Sequence, residues 1–195
     1  MSADIVDRVR AHLTETFDVG APASASVTFL GVEPIEIARF PADSDAIVRY
    51  ATIGCSRHPM GDPTEMVVDP VAGPRAEVIL AVRGGLASGG GVVRTLATFA
   101  AAPAVEGVVL RPDLLLDAGE PLWDGAPFTA VVLRAEAARD LPLDPPAEPV
   151  RFLRAVPITA TEAAWLRLRG VDALVEAWTE AGIDLTDPTR AGVEL

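Results

Sequence analysis

The segment that most limits what this chain can fold into is residues 75–82, where Val78-Ile79-Leu80 leaves little polar face on either side of an extended backbone. A strand of this kind is buried on both faces, so it belongs in the middle of a sheet that has cover above and below. Helical patterns on both sides of it in sequence can supply that cover. Residues 4–17 place Ile5, Val9 and Leu13 in i, i+4 register beside Val6, the spacing of an amphipathic helix. Residues 92–101 put Val92, Leu96, Phe99 and Ala100 on one face before Pro103, where a helix is expected to stop. Two more helical stretches close the chain, one up to Arg169 and one from Val171 to Ala181, with Trp165, Leu168, Leu174, Val175 and Trp178 as expected core. The first is preceded by Thr159-Ala160-Thr161-Glu162, the capping-box spacing in which hydroxyl and carboxylate satisfy the first free amides.

Between these helices the pattern is strand-like. Extended runs are expected at residues 27–29, 35–37, 47–53, 66–68, 107–110, 128–133 and 150–156, separated by Gly- and Pro-rich turns. Leu114-Leu115-Leu116 lies in a stretch punctuated by Pro and Gly, and residues 141–149 hold four prolines that read as an ordered connector or a hinge. The order of elements does not alternate strictly as strand and helix. It predicts an α+β (mixed α/β) fold: a single domain with a central, mostly antiparallel or mixed sheet packed by helices, two of them closing the C-terminus. Val78, Leu80, Phe152, Leu153, Leu168 and Leu174 are expected to be buried. The 195 residues suit one domain.

Composition removes several classes of chemistry. All 16 basic residues are Arg, and the chain has no Lys, Asn or Gln. Schiff-base and P-loop lysines are therefore excluded, as is the bidentate amide contact to adenine. A net charge of −12 repels phosphate backbones, so no nucleic-acid partner is expected, and it steers towards basic partners. The longest uncharged stretch has 14 residues, 19–32, and is broken by Gly, Pro and Ser. That is too short to span a bilayer, so no membrane association is expected. Asp4 and Asp7 stand where a signal peptide would be basic, and the one cysteine suits a reducing, cytoplasmic setting.

Three local motifs invite a functional reading. Gly85-Leu86-Ala87-Ser88-Gly89-Gly90 has the GxxxxG spacing of a phosphate loop, but Gly91 and Val92 stand where Lys and Ser/Thr are required. A plain turn is expected. Gly54-Cys55-Ser56-Arg57-His58 misses the GxSxG nucleophile elbow at its last position, and Pro59, Gly61 and Pro63 deny it the helix that an elbow opens. Cys55 and His58 have C-x-x-H spacing, yet one Cys and two His cannot close a usual structural zinc site without carboxylates. His12 falls among the polar positions of the first helix and reads as solvated. The residues thus assign no catalytic, cofactor-binding or metal-ligating side chain. The alternative is a small hydrolase-like enzyme or metal-binding protein working through the Cys55, Ser56 and His58 loop.

Larger stretches resemble a known family. Arg151-Phe152-Leu153-Arg154-Ala155-Val156-Pro157-Ile158-Thr159, then Glu162, Gly170-Val171-Asp172-Ala173-Leu174, Asp187 and Arg190, resemble the closing signature of the Suppressor of fused (SUFU) domain family. Tyr50-Ala51-Thr52-Ile53-Gly54-Cys55-Ser56 resembles its strand ending in T-x-G-x-S, and Arg75-Ala76-Glu77-Val78 its R-x-E-hydrophobic strand. The likeness runs from about Val27 to Val193. Two departures stand out: animal members carry a further C-terminal domain, which would follow the last residue here, and many relatives place an aromatic where this chain has Gly91-Val92. The resemblance implies a non-enzymatic, cofactor-free, protein-binding α/β domain. Animal members restrain a transcription factor by holding a peptide as an added strand, and bacterial members include immunity proteins that neutralise toxins. It also implies that Gly54, Ser56, Pro157, Thr159 and Gly170 are turn and cap residues. The expected partner is a protein, either a basic toxin or a peptide added as a strand.

Overall fold

The computed structural model of the protein describes residues 2–29, 31–61, 69–86 and 89–194. The strand expected at 66–68, and Ala87 and Ser88 of the glycine-rich loop, lie outside the described residues. The doubly buried segment is β4 (Arg75–Arg83), at the centre of a seven-stranded sheet. The other strands are β1 (Ala23–Val27), β2 (Ile35–Arg39), β3 (Ile47–Ile53), β5 (Leu115–Asp117), β6 (Ala130–Ala135) and β7 (Val150–Ile158). Their order across the sheet is β1-β2-β3-β4-β7-β6-β5. The β4–β7 pair is parallel, with Val78 beside Leu153, and every other pair is antiparallel. The expected mixed sheet is what forms.

Alternation along β4 divides the core between the two faces. Val78, Leu80 and Val82 point into the largest apolar cluster, under α2 (Gly89–Glu106) with Val92, Leu96 and Phe99. Ile79 points the other way, to Val9 and Leu13 of α1 (Ser2–Phe17) and to Phe40 and Phe152. On that second face, β6 and β7 are covered by α3 (Ala160–Arg169) and α4 (Val171–Glu180), through Ala163, Leu174 and Trp178. Among the described residues, no helix is long and apolar enough to cross a membrane.

Several expectations are corrected. Leu168 is 80% exposed, because the buried stripe of α3 is set by Glu162, Ala163 and the half-buried Leu166, and a residue five positions after Ala163 faces away from it. Pro103 does not stop α2, which runs to Glu106. The apolar face that packs on the sheet carries the helix through the missing N–H, and the Gly107 N–H closes it on the Pro103 carbonyl at 3.2 Å. Residues 107–110 form no strand, and the Leu110 N–H goes to the Met60 sulfur at 3.3 Å instead of to a neighbouring carbonyl. The outer strand starts four residues earlier than expected, at Ala23, because pairing with β2 selects it over its weak β-propensity. Pro157 is no turn residue. It lies inside β7, beyond Arg154 where β4 stops pairing, and β6 is its paired neighbour there.

The proline-rich stretch 141–149 is tied at its base by reciprocal backbone hydrogen bonds between Leu141 and Val150, both 2.9 Å. The space an aromatic would take at Gly91 is occupied by Trp123, whose Cα would stand 2.9 Å from a Cβ built there.

Burial makes a paired test of the closing helices. Leu174→Ala, at a position with no exposure, should cost about 2–5 kcal/mol. Leu168→Ala should stay within about 0.5 kcal/mol of the parent. Urea titration of both variants checks the assignment.

Candidate functional site

The motif that most resembled a catalytic loop is built around a carboxylate. β3 ends at Ile53, and Gly54 turns the chain at φ 118° into a single 3-10 turn, Cys55–Arg57. Only glycine holds that conformation without strain, and a Cβ there would also meet the Pro34 carbonyl at 3.3 Å. The turn wraps Glu77 of β4, which has no exposed surface. One Glu77 oxygen accepts from the Gly54 N–H at 2.8 Å, the Ser56 N–H at 3.0 Å and the Ser56 hydroxyl at 2.6 Å. The other accepts from the Thr52 hydroxyl at 2.6 Å, while Thr52 Oγ1 accepts the Val78 N–H at 2.8 Å. The T-x-G-x-S pattern is therefore a set of donors for one buried acceptor.

Arg75, two residues before Glu77 and 4% exposed, secures the outside of the same turn. Its guanidinium donates to the carbonyls of Ser56 at 2.8 Å, Arg57 at 2.9 Å and Val71 at 3.1 Å. R-x-E thus acts as a clamp, with Arg75 holding carbonyls and Glu77 holding amides and hydroxyls.

This geometry assigns the loop residues. Burial pushes the Glu77 carboxyl above its usual range, only partly offset by the hydrogen bonds from Ser56 and Thr52. Burial, with the Glu77 charge added, pushes the Cys55 thiol well up, away from the thiolate that a nucleophile or ligand needs. Ser56 has no exposed surface and its hydroxyl is committed to Glu77. His58 points elsewhere, its Nε2 2.6 Å from Glu33. Cys55, Ser56 and His58 share a turn without forming a nucleophile–base pair. A cavity of about 280 Å3 beside the turn is lined by Val32, Glu33, Cys55, His58, Met60 and Pro103, among others. No group of three His, Cys, Asp or Glu side chains able to hold a metal gathers among the described residues. His12 is not simply solvated, since its ring stacks on Phe152 at 5.2 Å and its Nε2 lies 2.8 Å from the Arg139 carbonyl oxygen.

A second buried carboxylate organises the C-terminus. Thr159 caps α3 by accepting the Glu162 N–H at 3.2 Å, and Glu162 accepts the Thr159 N–H at 2.8 Å. The same carboxylate also accepts from Trp178 Nε1 at 2.8 Å, the Val193 N–H at 3.2 Å and both Arg190 terminal nitrogens at 2.8 and 3.1 Å. Burial opposes its ionisation, but Arg190 and these donors prevail and hold Glu162 below the usual carboxylate range. Gly170, at φ 83°, joins α3 to α4.

A different feature is accessible. β1 is an outer strand paired on one side with β2, from Ala23 opposite Arg39 to Val27 opposite Ile35. Its side chains are Ala, Ser, Ala, Ser and Val, the first four exposed. No charge, proline or bulge blunts this edge, although such devices commonly guard outer strands.

Known proteins match the chain in fold and family. The model of the Suppressor of fused protein (SUFU) family matches residues 31–191. A SUFU (suppressor of fused protein) homologue from Neisseria gonorrhoeae FA 1090 aligns at TM-score 0.71 and 19% identity, over 99% of this chain and 98% of that one. The structure of a Sufu–Fu complex aligns at 0.66 and 12% identity, over 96% of this chain and 91% of that one. Drosophila Suppressor of Fused aligns at 0.63 and 12% identity over 96% of this chain, which spans 51% of the Drosophila chain. No curated protein matches the chain.

Glu77 makes a test with a defined sign. Glu77→Ala strips the acceptor from several buried donors, each left unsatisfied at about 1–3 kcal/mol, and should destabilise the protein by more than about 3 kcal/mol. Glu77→Gln keeps an acceptor oxygen and should fold. An acid whose folded pKa is raised binds its proton more tightly in the native state, so its contribution to stability declines as pH rises above the ordinary glutamate range. Urea titrations of parent and Glu77→Gln across that range should show the parent losing stability relative to the variant.

Proposed function

Because the chain belongs to the Suppressor of fused family, we propose that residues 1–195 form one partner-binding module without catalytic activity, a bacterial-type immunity or regulatory protein of the cytoplasm that binds and neutralises a protein. The observation that carries this reading is the outer edge of β1, five residues paired on one side with β2, of which the first four have small exposed side chains. An extended segment can add there as a further strand, main-chain hydrogen bonds supplying affinity and side-chain contacts selectivity. The likeness to a Sufu–Fu complex supports a protein as the partner. The interior supports the lack of catalysis, because the Ser56 hydroxyl is committed to Glu77 and the Cys55 thiol is pushed away from its thiolate.

Charge sets the kind of partner. At −12 the protein attracts a basic chain, a basic toxin among the candidates, and long-range attraction acts on the approach more than on the docked complex. Salt screens that attraction beyond about 8–10 Å and leaves strand pairing largely intact. Affinity capture with mass spectrometry identifies the partner, and surface-plasmon kinetics across a salt series then tests the reading. Association should slow strongly with salt while dissociation changes little. Ala25→Lys, a charge on the exposed edge, should weaken capture, whereas Cys55→Ala and His58→Ala should bind as the parent does. An acidic partner, association indifferent to salt, or binding that needs Cys55 or His58 would count against it.

A further inference from the structure

The face of the sheet that carries α1 and the closing helices is not covered throughout. Between the cluster under α1 and the cluster under α4, the floor is made by Arg154 of β7 and Arg134 of β6, which lie directly opposite each other in the antiparallel ladder. Directly opposed side chains in a ladder share a face and nearly touch at Cβ, so like charges there are destabilising. Arg134 is relieved by an ion pair with Asp113. The Arg154 side chain is half-buried and has no hydrogen-bond or ion-pair partner among the described residues. A chain of −12 has many carboxylates, yet among the described residues none but Asp113 reaches these arginines and none lines the pocket beside them.

Arg134 and Arg154 line a solvent-open pocket of about 260 Å3, together with Val156, Val175, Trp178, Ile183 and Leu185. Trp178 Nε1 is turned away to Glu162, and the Thr179 hydroxyl donates back to the Val175 carbonyl at 2.7 Å. The walls are therefore largely apolar, and with Arg134 engaged by Asp113 the unspent donors are those of Arg154. A ligand that fits must present a carboxylate and an apolar group within a few bonds of each other. The last residue of a polypeptide does this from one Cα. An internal Glu or Asp has the charge without the apolar branch.

We propose that this pocket receives the C-terminal carboxylate of a partner polypeptide ending in an apolar residue, with Arg154 as the principal donor. The inference rests on the protein-binding reading for the ligand being a polypeptide, but it concerns a different surface from the β1 edge. It accounts for the presence of an uncompensated arginine opposite another arginine: a position costly to the free fold is offset where a bound anion removes the cost, the usual exchange between stability and binding.

Fluorescence anisotropy tests it, with a labelled pentapeptide ending in leucine as the free acid, the same peptide as its C-terminal amide, and an amidated pentapeptide with glutamate as its last residue. The free acid should bind about tenfold or more tightly than either amide, since charge-assisted hydrogen bonds to the carboxylate are lost in the amide. Arg154→Met should weaken the free acid at least as much while leaving the melting temperature unchanged or raised, because it also removes the opposed charge. Val175→Glu, which places a carboxylate in the pocket, should abolish binding. Equal binding of acid and amide, equal binding of the glutamate peptide, or no binding of the free acid would overturn the proposal. So would a fall in the melting temperature of Arg154→Met, which would give that arginine a structural role. None of these outcomes depends on the salt response of partner capture, so each reading can fail alone.

Discussion

Glu77 is the acceptor on which the centre of this protein is assembled. A carboxylate with no exposed surface is tolerated only if its lone pairs are filled. Here Thr52, Gly54 and Ser56 fill them from the end of one strand and the turn after it. These bonds lock β3 against β4 and set the direction in which the chain leaves the sheet. Arg75 then fixes the outer side of the turn through three carbonyls. Both residues sit on β4, so the strand that anchors the core also anchors the loop.

The second buried carboxylate solves a similar problem differently. Glu162 has a counter-ion in Arg190 at 2.8 Å, whereas Glu77 has only neutral donors. Their carboxyl groups are accordingly displaced in opposite directions, Glu77 upwards by burial and Glu162 downwards once Arg190 outweighs burial. Stability from Glu162 is present above the ordinary glutamate range and is lost as pH falls through its lowered pKa, while that from Glu77 declines as pH rises. Removing either member of the Glu162–Arg190 pair leaves a buried charge alone, the costly way to break such a contact. The pair ties the tail, through Val193 and Pro157, to the cap of α3.

With these polar groups spent internally, the accessible features are backbone and charge. β1 is an outer strand paired on one side with β2, and the net charge of −12 offers a field. The Arg134–Arg154 pocket is an exception to that field. It is lined by residues of β6, β7, α4 and the segment after α4, so it is a product of their packing and not of any one segment.

Local chemistry was legible in the amino-acid order because its partners are close in the chain. The Thr159–Glu162 capping box, the limits of β3 and the burial of β4 all follow from spacing within a few residues, and the resemblance to the Suppressor of fused family pointed to the same strands and turns. What stayed hidden depends on partners far away in sequence. The role of Glu77 as a buried acceptor stayed hidden because its donors lie 21 to 25 residues earlier, and Ser56 and Cys55 could figure in an alternative enzymatic reading for the same reason. Pro103 signals a helix end locally, and packing on the sheet overrules it. Leu168 reads as core until Ala163 and Glu162 fix which side of α3 faces inward. The sequence by itself determined most of the helices and strands, though not all their limits, and which strand had to be central, since these follow from side-chain periodicity and from the apolar run of β4. Only the tertiary structure decided which charges were buried, which edge stayed open and which two arginines came face to face, because those follow from strand order and register across the whole sheet.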